Sequence, residues 1–403
     1  MGGTTDSGGV TGAGGTTESG GVTGTGGATV TGGVTGTGGT TDTGGLTGSG
    51  GVTGPGGTTG TGGVTGTGGT TTGLGGLGGT TSTVCGVNTS YGWASTQSLM
   101  DPVSDGSHNL AGIKAPTAVF SGGRYHVYAT VIDSAEKATI QHISFVDWPN
   151  AGSATVDFLD NNAAFGGGRS QPQLFYFSPK STWYLVTQSG PPGYSTNSDP
   201  GQALSWTKPT NFYSSTPKIV TDNAGTGGIG WTDFWVICDS ANCHMFFTNA
   251  LGYLFRAQTT VGSFPGGFGE PVKLIQNSVL LEGARVYKIK GETKYILLVE
   301  GNGSGGRYNS AWTASTLDGD WSKWTALANT EAIPFAGAIN VTFVGTKWTR
   351  DVGHGDLIRD TTDETMTIDP CNMRYLYAGK DPFTTIKVAN LMPWKLGLLV
   401  RSK

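Results

Sequence analysis

The first 84 residues contain no aromatic residue, no Lys and no Arg, and they read as tandem variants of Gly-Gly-Thr/Val-Thr-Gly-Thr. Such a segment has almost nothing to bury, and glycine is costly to order, so it cannot fold on its own. Its only charges are Asp6, Glu18 and Asp42. The expectation is a disordered, solvated Gly/Thr/Val linker over 1–84, slightly stiffer than a Gly-Ser chain. A stacked repeating β-structure is the less favoured reading, because no bulky residue recurs to build a core. From Cys85 onward the chain is rich in Trp, Tyr, Phe and alternating apolar segments. One folded domain is therefore expected over 85–403, long enough for a large core.

All 24 Lys and Arg lie in that domain, against 25 acidic residues (28 less the three in the linker), so it is close to neutral. This balance argues against nucleic acid and anionic membranes as partners. No apolar run approaches the roughly 20 residues of a membrane span. The four cysteines are Cys85, Cys238, Cys243 and Cys371, with no Cys-x-x-Cys pair, which disfavours a zinc site. Cys85 with Cys371 would close the ends of the domain, and Cys238 with Cys243 a small loop, but three pairings are open. An even cysteine count behind a Gly/Thr linker points to an oxidising, extracellular location. No signal peptide is visible, so a processed or trimmed chain is expected.

The domain reads as short strands separated by turn residues. Examples are Arg124-Tyr-His-Val-Tyr-Ala-Thr-Val-Ile132 after Ser121-Gly-Gly123, and Pro172–Phe177 followed by Thr182–Thr187. Further on, Ala284–Ile289 turns through Lys-Gly-Glu into Lys294–Glu300. Hairpins recur and no long helical stripe is present, which predicts an all-β domain. At this length, a propeller of repeated four-stranded blades fits better than a sandwich. In a propeller, polar residues at the starts of the inner strands meet on one axis although they are far apart in sequence. Three segments suit such a pocket: Gly112–Thr117, Gly230–Val236 with Asp233 between aromatics, and Leu280–Tyr287 with Glu282. A carboxyl set among apolar groups tends toward a raised pKa, as a proton donor needs. Each of these acids taken alone is more simply a strand-end residue on a solvated loop.

Many stretches match a known family in order. They include Phe145-Val-Asp-Trp148, Pro172-Gln-Leu-Phe-Tyr-Phe-Ser-Pro-Lys180, Trp235-Val-Ile-Cys-Asp-Ser-Ala-Asn-Cys243, His354-Gly-Asp356, Met366-Thr-Ile-Asp-Pro-Cys371 and Pro393-Trp-Lys-Leu-Gly-Leu-Leu399. Over essentially all of 85–403 the chain resembles glycoside hydrolase family 62, the α-L-arabinofuranosidases that remove arabinose side chains from arabinoxylan. The resemblance implies a five-bladed β-propeller, secreted and monomeric, acting on plant cell-wall polysaccharide by inversion. Inversion uses an acid and a base roughly 6.5–9.5 Å apart, leaving room for water. By this resemblance Glu282 is the general acid, Asp233 the carboxylate that tunes and orients it, and Lys114 and Tyr377 line the arabinose pocket. His354 matches a histidine that approaches a hydrated Ca²⁺ on the propeller axis. No organic cofactor is expected. Trp231 and Trp235, and the pair Trp321/Trp324, are candidate exposed sugar platforms, although propeller cores also use Trp.

The pattern breaks where the base should stand. The family has Asp directly after the residue matching Lys114, and this chain has Ala115. A methyl group cannot take a proton from water, and general-base assistance is worth about 10²–10⁴ in rate. Asp101 and Asp105 are close in sequence but precede the strand, and neither is taken as a substitute. Other departures cluster in the pocket segments Arg169–Gln173, Glu282–Tyr287, Glu300–Gly303 and Arg307–Ala311, where Arg285 and Asn309 bring new polar groups. Three readings follow: an arabinofuranosidase with weakened or lost activity, a non-catalytic arabinoxylan-binding propeller tethered by the linker, or a pocket diverted to another glycoside.

Overall fold

Five largely antiparallel sheets follow one another along the chain and stand as blades about a central axis. The structure, a computed structural model, describes residues 85–225, 230–249, 251–277, 280–319, 325–386 and 388–402. The linker and the Trp321/Trp324 pair lie outside the described residues. The five innermost strands are Leu110–Ser121, Ser170–Phe177, Thr232–Cys238, Glu282–Ile289 and Gly353–Leu357. Each packs on the next and the last returns to the first, which closes the ring.

The blades form from consecutive hairpins. In the first, Leu110–Ser121 pairs with Arg124–Asp133 across Gly122 and Gly123, both at positive φ (58° and 79°). Two left-handed residues make the primed turn whose twist suits a two-residue hairpin, and glycine adopts it without strain. Because blades stack face to face, the middle strands are buried on both sides. Ile296, Leu297, Leu298 and Val299 are consecutive and all fully buried, so the pattern reads as a continuous apolar run rather than an alternation. The fifth blade joins both ends of the domain. Trp93–Ser95 pairs antiparallel with Lys395–Arg401, and Val341–Phe343 runs parallel beside it. The Cys85–Cys371 disulfide ties the same ends, and Cys238–Cys243 staples the hairpin of the third blade, so the two suggested pairings are those present.

Two aromatic expectations are corrected. Trp231 and Trp235 are not exposed platforms: both are buried in the main core cluster. The Trp235 indole N–H donates to the Val286 carbonyl at 2.7 Å, and its ring packs on Tyr287 at 5.3 Å. Tyr377 does not line an open pocket. It is fully buried, packs on Trp348, and its hydroxyl is bonded to the Ser95 hydroxyl at 2.7 Å.

Candidate active site

Each inner strand carries a β-bulge at the same level. The ladders skip between Lys114 and Thr117, Ser170 and Gln173, Thr232 and Trp235, Glu282 and Arg285, and Gly353 and Asp356. The first extra residue in each case is Ala115, Gln171, Asp233, Gly283 or His354. Four of the five have positive φ: 51°, 57°, 59° and 75° in that order for the first four. A bulge of this kind favours glycine at its left-handed position, and an L-residue there costs roughly 1–2 kcal/mol. Of these four, only Gly283 avoids that strain. Five equivalent bulges thus put five residues around one axis, with strained backbone where sites are commonly built.

This geometry brings together Lys114, Ala115, Asp233, Glu282 and His354, which are far apart in sequence. Asp233 is fully buried. Its backbone N–H donates to Gln188 Oε1 at 2.9 Å, and its Oδ2 accepts the Gly283 N–H at 3.0 Å. Its Oδ1 lies 3.8 Å from His354 Nδ1 and has no hydrogen-bond partner. Burial, and then the charge of Glu282, push the Asp233 carboxyl up to about 7, against the pull of Arg285, the Gly283 N–H and Lys114. Asp233 therefore holds a proton in the range where ordinary carboxyls have lost theirs.

Glu282, next to that glycine, has a side chain 26% exposed, and its Oε1 lies 3.1 Å from Arg307 Nη1. The same Arg307 nitrogen also donates to Glu300 Oε1, while Glu300 Oε2 accepts the backbone N–H of His354. Glu300 sits directly opposite Glu282 in the ladder, and Arg307 bridges the two carboxylates. The Arg307 guanidinium also approaches the Trp394 ring at 6.0 Å, with Lys380 on that ring at 4.9 Å. This Glu282–Arg307–Glu300 cluster escaped sequence reasoning, which placed Glu300 and Arg307 only in drifting segments. Counting back from the Lys288–Tyr295 pair sets Glu282 across from Gly301, and only the bulge brings Glu300 opposite it, which residue spacing does not show.

Ala115 is fully buried at the bulge equivalent to that of Asp233. Among the described residues, the nearby acids are committed elsewhere. Asp101 pairs with Lys395 at 2.6 Å, Asp105 with His108 at 2.9 Å, and both oxygens of Glu300 are taken as above. Asp356, deeper on the axis, is held by Tyr287, Thr117 and the Ala118 N–H.

His354 is buried with Nε2 unpartnered. Burial first, then the positive charges of Arg285, Lys114 and Arg307, hold its pKa well below the usual value, so the imidazole is neutral. These surroundings do not fit a calcium ion. Ca²⁺ takes six to eight oxygen ligands. A hydrated ion would bring most of these as water, but beside His354 it would meet three cationic side chains, Arg285, Lys114 and Arg307.

Comparison with known proteins places the chain in a family. The sequence model described as glycosyl hydrolase family 62 matches residues 92–400. Alpha-L-arabinofuranosidase C of Cellvibrio japonicus is 37% identical over 324 residues, which are 79% of this chain but 48% of that protein, so this chain corresponds to about half its length. The catalytic domain of the Coprinopsis cinerea GH62 alpha-L-arabinofuranosidase is 45% identical with a TM-score of 0.75, over 78% of this chain and 98% of that one. The alpha-L-arabinofuranosidase PaAbf62A of Podospora anserina, solved with cellotriose, is 41% identical with a TM-score of 0.74, over 79% and 98%. A GH62 hydrolase solved with xylotriose is also 41% identical, with a TM-score of 0.73, over 78% and 98%. A family match across nearly the whole propeller, with relatives above 40% identical along almost their full length, establishes that the chain belongs to glycosyl hydrolase family 62.

Proposed function

We propose that this propeller binds arabinose-decorated xylan in the manner of its relatives, and that hydrolysis of the side chain by inversion is strongly weakened by Ala115. In this reading Glu282 gives its proton to the leaving xylan oxygen. Asp233, whose Oδ2 accepts the N–H of Gly283 next to Glu282 in the chain, is kept neutral beside the acid by its raised pKa. Lys114, preceding the bulge of the first blade, contacts the bound sugar. The water on the far face of the sugar ring lacks a partner to take its proton, because a methyl group stands at position 115. The observation carrying this is the equivalence of the Ala115 and Asp233 bulges, with Asp101, Asp105 and Glu300 all engaged by other partners. The relatives' names and the cellotriose and xylotriose complexes support a glucan- or xylan-like main chain outside the pocket. The two disulfides suit an oxidising, extracellular setting.

A second reading, a purely carbohydrate-binding propeller, rests on the same methyl group. One experiment separates the two. The chain is tested for retention on insoluble arabinoxylan and on an unrelated polymer, and for arabinose release from the soluble polysaccharide. Selective retention with slow but measurable release supports the weakened hydrolase. Selective retention without release at any enzyme concentration supports the binder. Equal retention on both polymers contradicts both.

A further inference from the structure

The floor of the pocket holds a charge that the proposed chemistry does not use. Arg285 lies on the inner strand of the fourth blade, just past the Gly283 bulge, and is only 2% exposed. Its Nε donates to the Gly355 carbonyl at 2.9 Å, adjacent to His354 in the chain. Its guanidinium carbon stands 4.6 Å from the centroid of Trp235, whose ring is fixed by its own bond to the Val286 carbonyl. Its Nη2 has no hydrogen-bond partner. The ion pairs of the described residues join Arg307 to Glu282 and Glu300, and Arg359 to Asp356, and none includes Arg285. A buried guanidinium without a carboxylate partner is costly. Such a residue is tolerated where its surroundings require positive charge, and here its cation–π contact with Trp235 supplies part of the compensation.

Its carboxyl neighbour is Asp233, which the charge of Arg285 draws toward the ionised form. Asp233 Oδ1, His354 Nε2 and Arg359 Nε are further unpartnered buried atoms, and Arg359 stands 5.9 Å from the centroid of the same Trp235 ring. Asp233 and Glu282 put two carboxyls on this level of the axis, with Asp356 one level deeper. We propose that Arg285 is the resident cation of the propeller axis: its fixed guanidinium occupies, electrostatically, the place that a bound divalent cation would take, and makes this propeller indifferent to calcium. A side chain anchored by Nε and stacked on an indole cannot leave to admit an ion. A divalent cation brought to His354 would meet Arg285, Lys114 and Arg307 together. Arg285 is on this account a positioning residue, acting through Asp233 and His354 rather than on substrate. The inference does not depend on whether the pocket turns over arabinoxylan, because its test reads stability and metal binding alone.

The test uses the whole chain, stripped with EDTA and dialysed, then titrated with CaCl₂ against NaCl of matched ionic strength. Thermal unfolding and terbium luminescence are followed together. The unaltered chain is expected to unfold at the same temperature, within about 1 °C, with or without calcium, and to show no saturable terbium signal quenched by calcium. Arg285→Asn removes the charge, and is expected to unfold earlier in metal-free buffer and to recover saturably with calcium. Arg285→Lys keeps the charge and is expected to remain indifferent to calcium. A saturable rise in unfolding temperature with calcium in the unaltered chain overturns the inference, and so does an Arg285→Asn protein that folds but ignores calcium. If Arg285→Asn does not fold, the unaltered chain and the lysine variant still decide, since calcium-dependent stabilisation of either contradicts the assignment.

Discussion

Replacing Asp233 by Asn tests the electrostatics of the site without reference to any substrate. The amide has the shape of the protonated carboxyl, so it can still accept the Gly283 N–H. In the folded chain the Asp233 carboxyl is pushed from its usual 3.8 up to about 7. Between those values the folded chain binds the proton and the unfolded chain does not. Stability therefore falls as pH rises, by about 1.4 kcal/mol per pH unit. Over the whole interval this amounts to about 4 kcal/mol at most, complete only above the folded value. The buried histidines work the other way: His126, His142, His244 and His354 are all held below their usual value, so they make stability rise with pH. The profile of the unaltered chain is thus a sum of opposing slopes, and the informative quantity is the difference between variant and parent. Urea unfolding followed by tryptophan fluorescence at pH 4, 5, 6, 7 and 8 gives it. Relative to the parent, Asp233→Asn should gain stability steadily across this range and level off near pH 8. A difference constant to within about 0.5 kcal/mol would refute the reasoning, since it would mean that Asp233 titrates alike in the folded and unfolded chains.

Two further outcomes follow from the same geometry. Gly283→Ala puts a Cβ at φ 75°, 3.4 Å from the His354 ring, and should cost about 1–2 kcal/mol in urea unfolding, chiefly from the left-handed backbone; no loss would contradict the bulge. Arg307→Met strands the buried Glu300 carboxylate and should cost about 3–5 kcal/mol, measured in the same way, whereas an unchanged urea midpoint would show that Glu300 does not depend on Arg307.

Much of the fold was legible because hairpins carry local signals. Gly122–Gly123 and the Lys290–Glu292 turn mark strand pairs that the structure contains. The site was legible only in part. Asp233 and Glu282 stood out as acids among apolar neighbours, but the bulge that turns Asp233 toward Glu282 also changes the facing of the next residues. Trp235, read as an exposed platform, lies in the core because every residue of its strand, Thr232–Cys238, is buried. Tyr377 was misjudged for a related reason: on a central strand of the last blade both faces are covered, and its hydroxyl is satisfied by Ser95. The Glu282–Arg307–Glu300 cluster and the burial of Arg285 depend on register across a hairpin and on packing between blades, which residue types and spacing alone do not encode.

The central claim is that position 115 is where water activation has been lost. Asp tolerates left-handed backbone better than most residues, so Ala115→Asp is compatible with the φ of 51° found there. The decisive measurement is the initial rate of arabinose release from wheat arabinoxylan by the unaltered chain and by Ala115→Asp at equal concentration. The account predicts release faster by about 10²–10⁴ for the aspartate variant, and equal rates, or no release from either protein, would contradict it.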